Sequence, residues 1–321
     1  MPEDGAVSAL PQRANGAAPP LVRLGSVRAW RVAARPRTLL VAVSPVLVGA
    51  TLGFERTGAI DLLAALLVLG AAVLMQIATN LQNDVGYTVR GGERTGTRTG
   101  LPRATTHGWL SVGQVRSALV LVGTVAVGLG LLLAAHRGWP VLMIGAASLS
   151  AALAYMGGPK PIAYTPFGEL TVFVFFGLIA VTGTDWVLTG SVGMLTPLAS
   201  MAIGSLAAAA LAVNNHRDRE HDRLVGRRTF AVIVGEAGSR RLYFALLMAP
   251  FLLLLVMSVR ARAPSLLLPI LLVPGAIRLL RDFARCPPGL AFNAILFRTF
   301  RLELWFAVLL SAGALLVSKP A

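Results

Sequence analysis

Leu62-Leu63-Ala64-Ala65-Leu66-Leu67-Val68-Leu69-Gly70-Ala71-Ala72-Val73-Leu74-Met75-Gln76-Ile77-Ala78-Thr79-Asn80-Leu81-Gln82-Asn83-Asp84 starts as an apolar helix and ends in a polar last turn. A bilayer core about 30 Å thick asks for about 20 apolar residues per helix, and this run carries no charge before Asp84. The same criterion picks out nine segments: 38–54, 60–84, 112–135, 139–156, 168–189, 195–216, 240–258, 264–281 and 300–318. The expected fold is therefore an all-α membrane protein of about nine transmembrane helices. Composition agrees: of 321 residues 55% are hydrophobic and 13% charged, with a mean hydropathy of +0.72. A soluble domain would have to expose much of that surface to water.

The net charge of +15 fits cationic loops held at one anionic leaflet better than it fits a nucleic-acid binder. With the N-terminus in the cytoplasm, 24 of the 29 Lys and Arg residues fall on the cytoplasmic side, leaving Arg56, Arg137, Arg260, Arg262 and Lys319 outside. Residues 1–25 read as a disordered leader and 26–321 as one transmembrane domain. The first apolar run comes too late, behind Arg31, Arg35 and Arg37, to be a cleaved signal. Between Ser26 and Arg37 the pattern fits either a short interfacial helix or a solvated basic tail. The single Cys286 forms no internal disulfide, so the fold needs no oxidising compartment.

A carboxylate at the bilayer centre costs about 3 kcal/mol, and the acidic residues that approach the apolar segments gather at two helix ends. One is Asn80-Leu81-Gln82-Asn83-Asp84; the other is Asn214-Asn215-His216-Arg217-Asp218-Arg219-Glu220-His221-Asp222. Residues four apart share a helical face, so Asn80 and Asp84 stack, as do Asn214, Asp218 and Asp222. Rows of amide and carboxylate oxygens suit Mg²⁺, a hard cation that takes one or two carboxylates from each wall of a site. Each row sits at a helix C-terminus, whose dipole favours a cation. Asn-x-x-x-Asp recurs at an offset of 134 residues, as in a duplicated bundle with a site between its halves.

Arginines flank both rows: Arg90, Arg94, Arg98 and Arg103 follow the first, and Arg217, Arg223, Arg227 and Arg228 lie within or after the second. Metal-bearing carboxylates beside guanidinium forks make a site for a diphosphate. Among greasy helices, the implied ligand is a polyprenyl diphosphate. The expected catalytic residues are Asp84, Asp218 and Asp222. Tyr155 and Tyr164 flank the helix-breaking Gly157-Gly158-Pro159-Lys160-Pro161 turn. Glu169 begins a span, and Asp185 lies toward the opposite end.

At these residues the chain resembles the UbiA superfamily of intramembrane prenyltransferases, and within it the 1,4-dihydroxy-2-naphthoate polyprenyltransferases. The likeness runs from about Arg35 to the C-terminus. It rests on Ala34-Arg35-Pro36-Arg37-Thr38, the Asn80-to-Arg103 stretch, residues 155–164 with Gly168-Glu169, Asn214-Asn215-x-Arg217-Asp218-x-x-x-Asp222-x-x-x-Gly226-Arg227-Arg228-Thr229, and Asn293-x-x-Leu296-x-x-Thr299. The resemblance implies a helical bundle with a central cavity opening toward the cytoplasm and an Mg²⁺-dependent reaction at the membrane. The allylic C–O bond of the diphosphate ionises and an electron-rich aromatic ring captures the carbocation, with loss of the ring carboxylate in the naphthoate branch.

On this resemblance the metal set is Asn80, Asp84, Glu93, Asn214, Asp218 and Asp222. The substrate set is Asn80, Arg90, Arg94, Arg98, Lys160, Tyr155, Arg217, Arg227 and Arg228. The sequence departs from the branch at one motif: Asp84 holds the first of three acidic positions, Tyr87 stands at the second, and Glu93 lies near the third. A tyrosine is a poor Mg²⁺ ligand at neutral pH. A UbiA-type enzyme with another aromatic acceptor, and a diphosphate-lipid binder or transporter without turnover, fit the same features. A nucleotide-dependent lipid phosphotransferase does not, since its glycine-punctuated Asp-x-x-Asp-Gly pattern is missing from the sequence.

Overall fold

The computed structural model describes residues 22–92, 96 and 98–317, and these are helical with no strand among them. The helices are α1 Val27–Ala34, α2 Leu40–Thr57, α3 Leu62–Val89, α4 Val112–Arg137, α5 Pro140–Met156, α6 Gly168–Val172, α7 Ala180–Thr189, α8 Thr196–Arg217, α9 Arg219–Leu224, α10 Phe230–Ala261, α11 Val273–Arg285 and α12 Phe292–Leu315. A π-helical stretch, Phe173–Ile179, joins α6 to α7 in one rod.

Local chemistry sets these boundaries. The Asp61 carboxylate accepts from the Ala64 amide at 2.9 Å and starts α3. Ser111 and Gln114 form a reciprocal capping box at the start of α4. Gly58 and Gly190 adopt positive φ and end α2 and α7.

Six helical segments, Val27–Thr57, Leu62–Val89, Val112–Arg137, Gly168–Thr189, Thr196–Arg217 and Phe230–Ala261, are long and apolar enough to cross a bilayer. The chain is thus an all-helical, multi-pass membrane protein. Three of the nine expected spans differ, for different reasons. Helix α5 is apolar but only 17 residues long. Segment 264–281 breaks into a 3₁₀ stretch, Pro264–Leu272, and the amphipathic α11, because Pro264, Pro269 and Pro274 interrupt α-helical bonding. Helix α12 is long enough, yet Arg298, Arg301 and Glu303 load its first half with charge.

The best-buried helix is α8, which packs against α10, α12 and the π-helical stretch. There the backbones meet: a Cβ on Gly177 would lie 2.5 Å from the Gly204 Cα. Small residues permit such an approach where helices associate by close packing rather than by expelling water. Short α1 buries Ala29 and Ala33 against Leu81, Val85 and Leu110. Val22 joins that cluster, and the Gly25 amide donates to the Trp109 carbonyl at 2.9 Å, which ties down the last residues of the expected leader. The remainder of the leader, residues 1–21, lies outside the described residues.

Candidate functional site: two helix ends around one cavity

The polar last turns of α3 act first on backbone. The Asn80 amide donates to the Ala34 carbonyl at 2.8 Å and to Thr38 Oγ1 at 2.9 Å, and Gln76 reaches the same hydroxyl at 3.1 Å. These bonds hold the turn between α1 and α2, where Arg35 sits at φ 52°, a conformation rare outside glycine. Asp84 is fully buried and pins the loop that returns to the bundle: Oδ2 accepts from the Ala104 amide at 3.0 Å and Oδ1 from the Thr105 amide at 2.8 Å. That loop places the Arg103 guanidinium 3.6 Å above the Tyr87 ring, with a bond to the Asn83 carbonyl.

The second wall forms where α8 gives way to α9. The Asp222 amide donates to the Asp218 carbonyl at 2.7 Å, keeping both carboxylates on one face across the break. Arg217 grips Asp218 with two bonds of 2.8 and 2.7 Å, and its other nitrogen donates to Asn293 Oδ1 at 2.6 Å. Arg98 stands 3.6 Å from Asp218. Arg227 donates to Asp222 at 2.5 Å, to the Tyr87 hydroxyl, and to the Ala163 carbonyl at 3.0 Å. Tyr87 therefore joins the walls as an acceptor and a π face for arginines, where the sequence led us to expect an acid.

Burial and neighbours set these charges apart. Burial pushes the Asp222 carboxyl up to about 6, reinforced by Asp218, although Arg227 draws it down. Burial also acts to raise Asp218, but the Arg217 fork and Arg98 prevail and hold it below the usual carboxylate range. Burial lowers His221. Arg227 ends above its ordinary value because Tyr87 and Asp222 outweigh burial. Among the described residues guanidiniums outnumber carboxylates, with Arg98, Arg103, Arg217 and Arg227 around Asp84, Asp218 and Asp222, and Arg35 within electrostatic reach. The cluster is poised for an added anion.

Beside it lies a cavity of about 600 Å³. Arg35, Asn80, Asn83, Asn214 and Tyr155 line its polar end, and the residues beyond are mostly apolar as far as Leu133, Val141 and Val187. Thr171 to Val187 along one wall corresponds to roughly 24 Å of helix rise. Val127, Leu131 and Leu142 are exposed members of the cavity lining.

Other sequence-level candidates land elsewhere. Lys160 and Arg228 are exposed, and Arg90 is an exposed clip on the Met156 and Gly158 carbonyls of the glycine turn. Glu93 and Arg94 lie outside the described residues. Two inward residues were absent from the expected site. The Asn83 Oδ1 is buried with no hydrogen-bond partner among the described residues, as are Nε and Nη2 of Arg35. A signal for Arg35 existed, because a residue before proline resists helix and marks a break.

Among the described residues no three His, Cys, Asp or Glu side chains cluster closely enough to hold a metal by themselves. Mg²⁺ asks for less, since it keeps waters and completes its shell with phosphate oxygens. Asp222 Oδ2 is buried and has no hydrogen-bond partner among the described residues, so the donor set fits a cation that arrives with a phosphorylated ligand.

Similarity to known proteins follows the same outline. A 1,4-dihydroxy-2-naphthoate octaprenyltransferase of Bacillus subtilis is 31% identical over 89% of this chain and 92% of its own length. One of Mycobacterium leprae is 35% identical over 74% of this chain and 79% of its own. The fold matches a UbiA homolog from Archaeoglobus fulgidus, solved bound to GPP and Mg²⁺, with a TM-score of 0.64 at 17% identity, covering 90% of this chain and all of the other. Residues 42–300, which contain both helix ends and nearly all of the cavity wall, match the UbiA prenyltransferase family, and the chain belongs to it.

Proposed function

We propose that this protein transfers a polyprenyl group from polyprenyl diphosphate to 1,4-dihydroxy-2-naphthoate, with decarboxylation, in menaquinone-type quinone synthesis. One observation carries the reading: polar ends of α3 and α8 meet at an arginine-rich cluster beside a long apolar cavity. Head and tail of a polyprenyl diphosphate need those two environments side by side. The relatives named for this activity supply the acceptor.

In the proposed complex Asp218, Asp222 and Asp84 hold Mg²⁺, with Asn80 and Asn214 beside them. Mg²⁺, when bound, neutralises charge on the departing diphosphate. Arg35, Arg98, Arg103, Arg217 and Arg227 face the diphosphate oxygens. In the free protein Asp218 and Asp222 are already paired with arginines, so binding exchanges partners: guanidiniums turn to phosphate as the carboxylates turn to the cation. Preorganised charge of this kind costs little reorganisation during reaction. The apolar cavity keeps water from the allylic cation until the ring captures it.

The arrangement in the membrane belongs to the same proposal. Residues 26–321 work as one unit of nine passes in a bacterial inner membrane, with the N-terminus and the polar end of the cavity on the cytoplasmic side.

Purified protein given labelled polyprenyl diphosphate, Mg²⁺ and a panel of aromatic acids tests the reading. The expected outcome is prenylated naphthol and inorganic diphosphate from dihydroxynaphthoate, abolished by chelator. Preferential turnover of 4-hydroxybenzoate would reassign the acceptor. The arginine-bound Tyr87 favours a second reading, a binder without turnover, and tight binding of the donor with no diphosphate release would establish it.

A further inference from the structure

Glu169, the second residue of α6, is 7% exposed. The Asn215 amide donates to its Oε1 at 2.9 Å, while Oε2 is buried with no hydrogen-bond partner among the described residues. A half-satisfied carboxyl inside a membrane protein is costly and calls for a ligand. Its position suggests which one. A Cβ on the preceding Gly168 would lie 3.6 Å from the Tyr155 hydroxyl and 3.9 Å from the Asn215 amide nitrogen, so both groups rest against bare backbone next to Glu169. Of these groups Tyr155 lines the cavity, and so do Asn214, the chain neighbour of Asn215, and Thr171, two residues on from Glu169. Electrostatically, Glu169 feels Arg227 of the cluster, and Tyr155 feels Glu169. The carboxyl thus lies directly behind the Tyr155, Thr171 and Asn214 stretch of the cavity wall and within electrostatic reach of the cluster, next to the place where a ring would meet the allylic carbon.

We infer that Glu169 is the catalytic base for the aromatic acceptor, taking the proton of its ring hydroxyl, with Asn215 and Tyr155 fixing the geometry. This rests on the prenyl-transfer reading above. The acceptor O–H bond breaks and its proton moves to Glu169 Oε2. The released pair forms a ring C=O as the neighbouring ring carbon bonds to the first prenyl carbon, whose bond to diphosphate breaks with the pair leaving on oxygen. Where the attacked carbon bears the carboxylate, carbon dioxide departs, its bonding pair restores the ring, and Glu169 returns the proton to the oxygen.

Glu169→Gln keeps an oxygen for Asn215 and removes the base. Product formation and diphosphate release are measured against pH, with dihydroxynaphthoate and with ring-substituted hydroxynaphthoates of graded hydroxyl acidity. The expected result is a kcat lower by roughly 10²-fold, a donor KM within about threefold, and a rate that climbs more steeply with acceptor acidity than in the parent protein. Glu169→Asp, which retains a carboxylate, recovers part of the loss and carries the same comparison if the glutamine variant does not fold. A Glu169→Gln rate within about threefold of the parent, or an equal loss for every acceptor with an unchanged pH profile, would overturn the assignment. A parent protein that binds the donor but prenylates no hydroxynaphthoate refutes the prenyl-transfer reading itself, and the role of Glu169 with it.

Discussion

Each end of the bundle holds a buried carboxylate against an arginine, and the two do different jobs. At the end away from the arginine cluster, Asp185 is fully buried and its carboxylate is saturated. It accepts from Arg56 at 3.0 Å, the Gly193 amide at 2.8 Å and Thr196 Oγ1 at 2.6 Å, tying α2, α7 and α8 together. At the other end, among the described residues, Asp222 keeps one oxygen unpartnered and arginines outnumber acids. Asp185 ties helices together with every bond committed to the fold, whereas the acids at the other end sit among surplus arginines beside a cavity, where a diphosphate can draw those arginines away. The same test separates Asp185 from Glu169. Burial alone does not mark a functional acid; surplus arginines or an unfilled hydrogen-bonding shell beside a cavity do.

The widest separation between the ends should appear in activity. Asp218→Asn or Asp222→Asn should lower prenyl transfer by roughly 10²- to 10³-fold with little change in detergent unfolding, as steady-state turnover and denaturant titration of the same preparations would reveal. Asp185→Ala should do the reverse. It removes the acceptor for Arg56, Gly193, Thr196 and Thr189 and should cost about 2–3 kcal/mol of stability, below the range for breaking a fully buried pair because Arg56 is one-third exposed. Turnover per folded molecule should stay within about twofold.

Acid should silence only the cluster. The Asp222 carboxyl is pushed up to about 6, so it is charged above that pH and gains a proton as the pH falls through it. Activity is expected to decline about tenfold per pH unit below that point, with the midpoint moving lower at high Mg²⁺ because the cation competes with the proton. A rate profile flat from pH 7 to 5 would remove Asp222 from the reaction. The smallest effect is assigned to Tyr87→Phe, which deletes a bond to Arg227 while keeping the ring under Arg103. A three- to tenfold loss is expected in single-turnover rates, consistent with one charge-assisted hydrogen bond.

The contrast also explains which features were readable from sequence. The long spans announced themselves because about 20 apolar residues have few other destinations. Asp218 and Asp222 could be paired because helical spacing survives the break between α8 and α9. Asp84 lies in the last turns of α3, but both its oxygens accept from loop amides 20 and 21 residues onward, and nothing local reports them.

Arginines were the least legible class, because the topology of a basic membrane protein supplies cytoplasmic arginines whether or not they touch substrate. Backbone turns decide among them. A left-handed Arg35 points into the cavity, whereas Arg90 binds the glycine turn and Arg228 reaches the surface. Tyr87 looked like a lost ligand in the sequence; in the fold it is the hub on which Arg103 and Arg227 rest.

Binding of a non-ionising polyprenyl thiodiphosphate, titrated into the parent protein, Asp218→Asn and Arg35→Gln with and without Mg²⁺, tests most directly whether the two helix ends hold one diphosphate between them. The account predicts Mg²⁺-dependent binding in the parent, weakened at least tenfold by either substitution although they lie on opposite walls. Unchanged affinity in both variants, or parent binding indifferent to Mg²⁺, would contradict it.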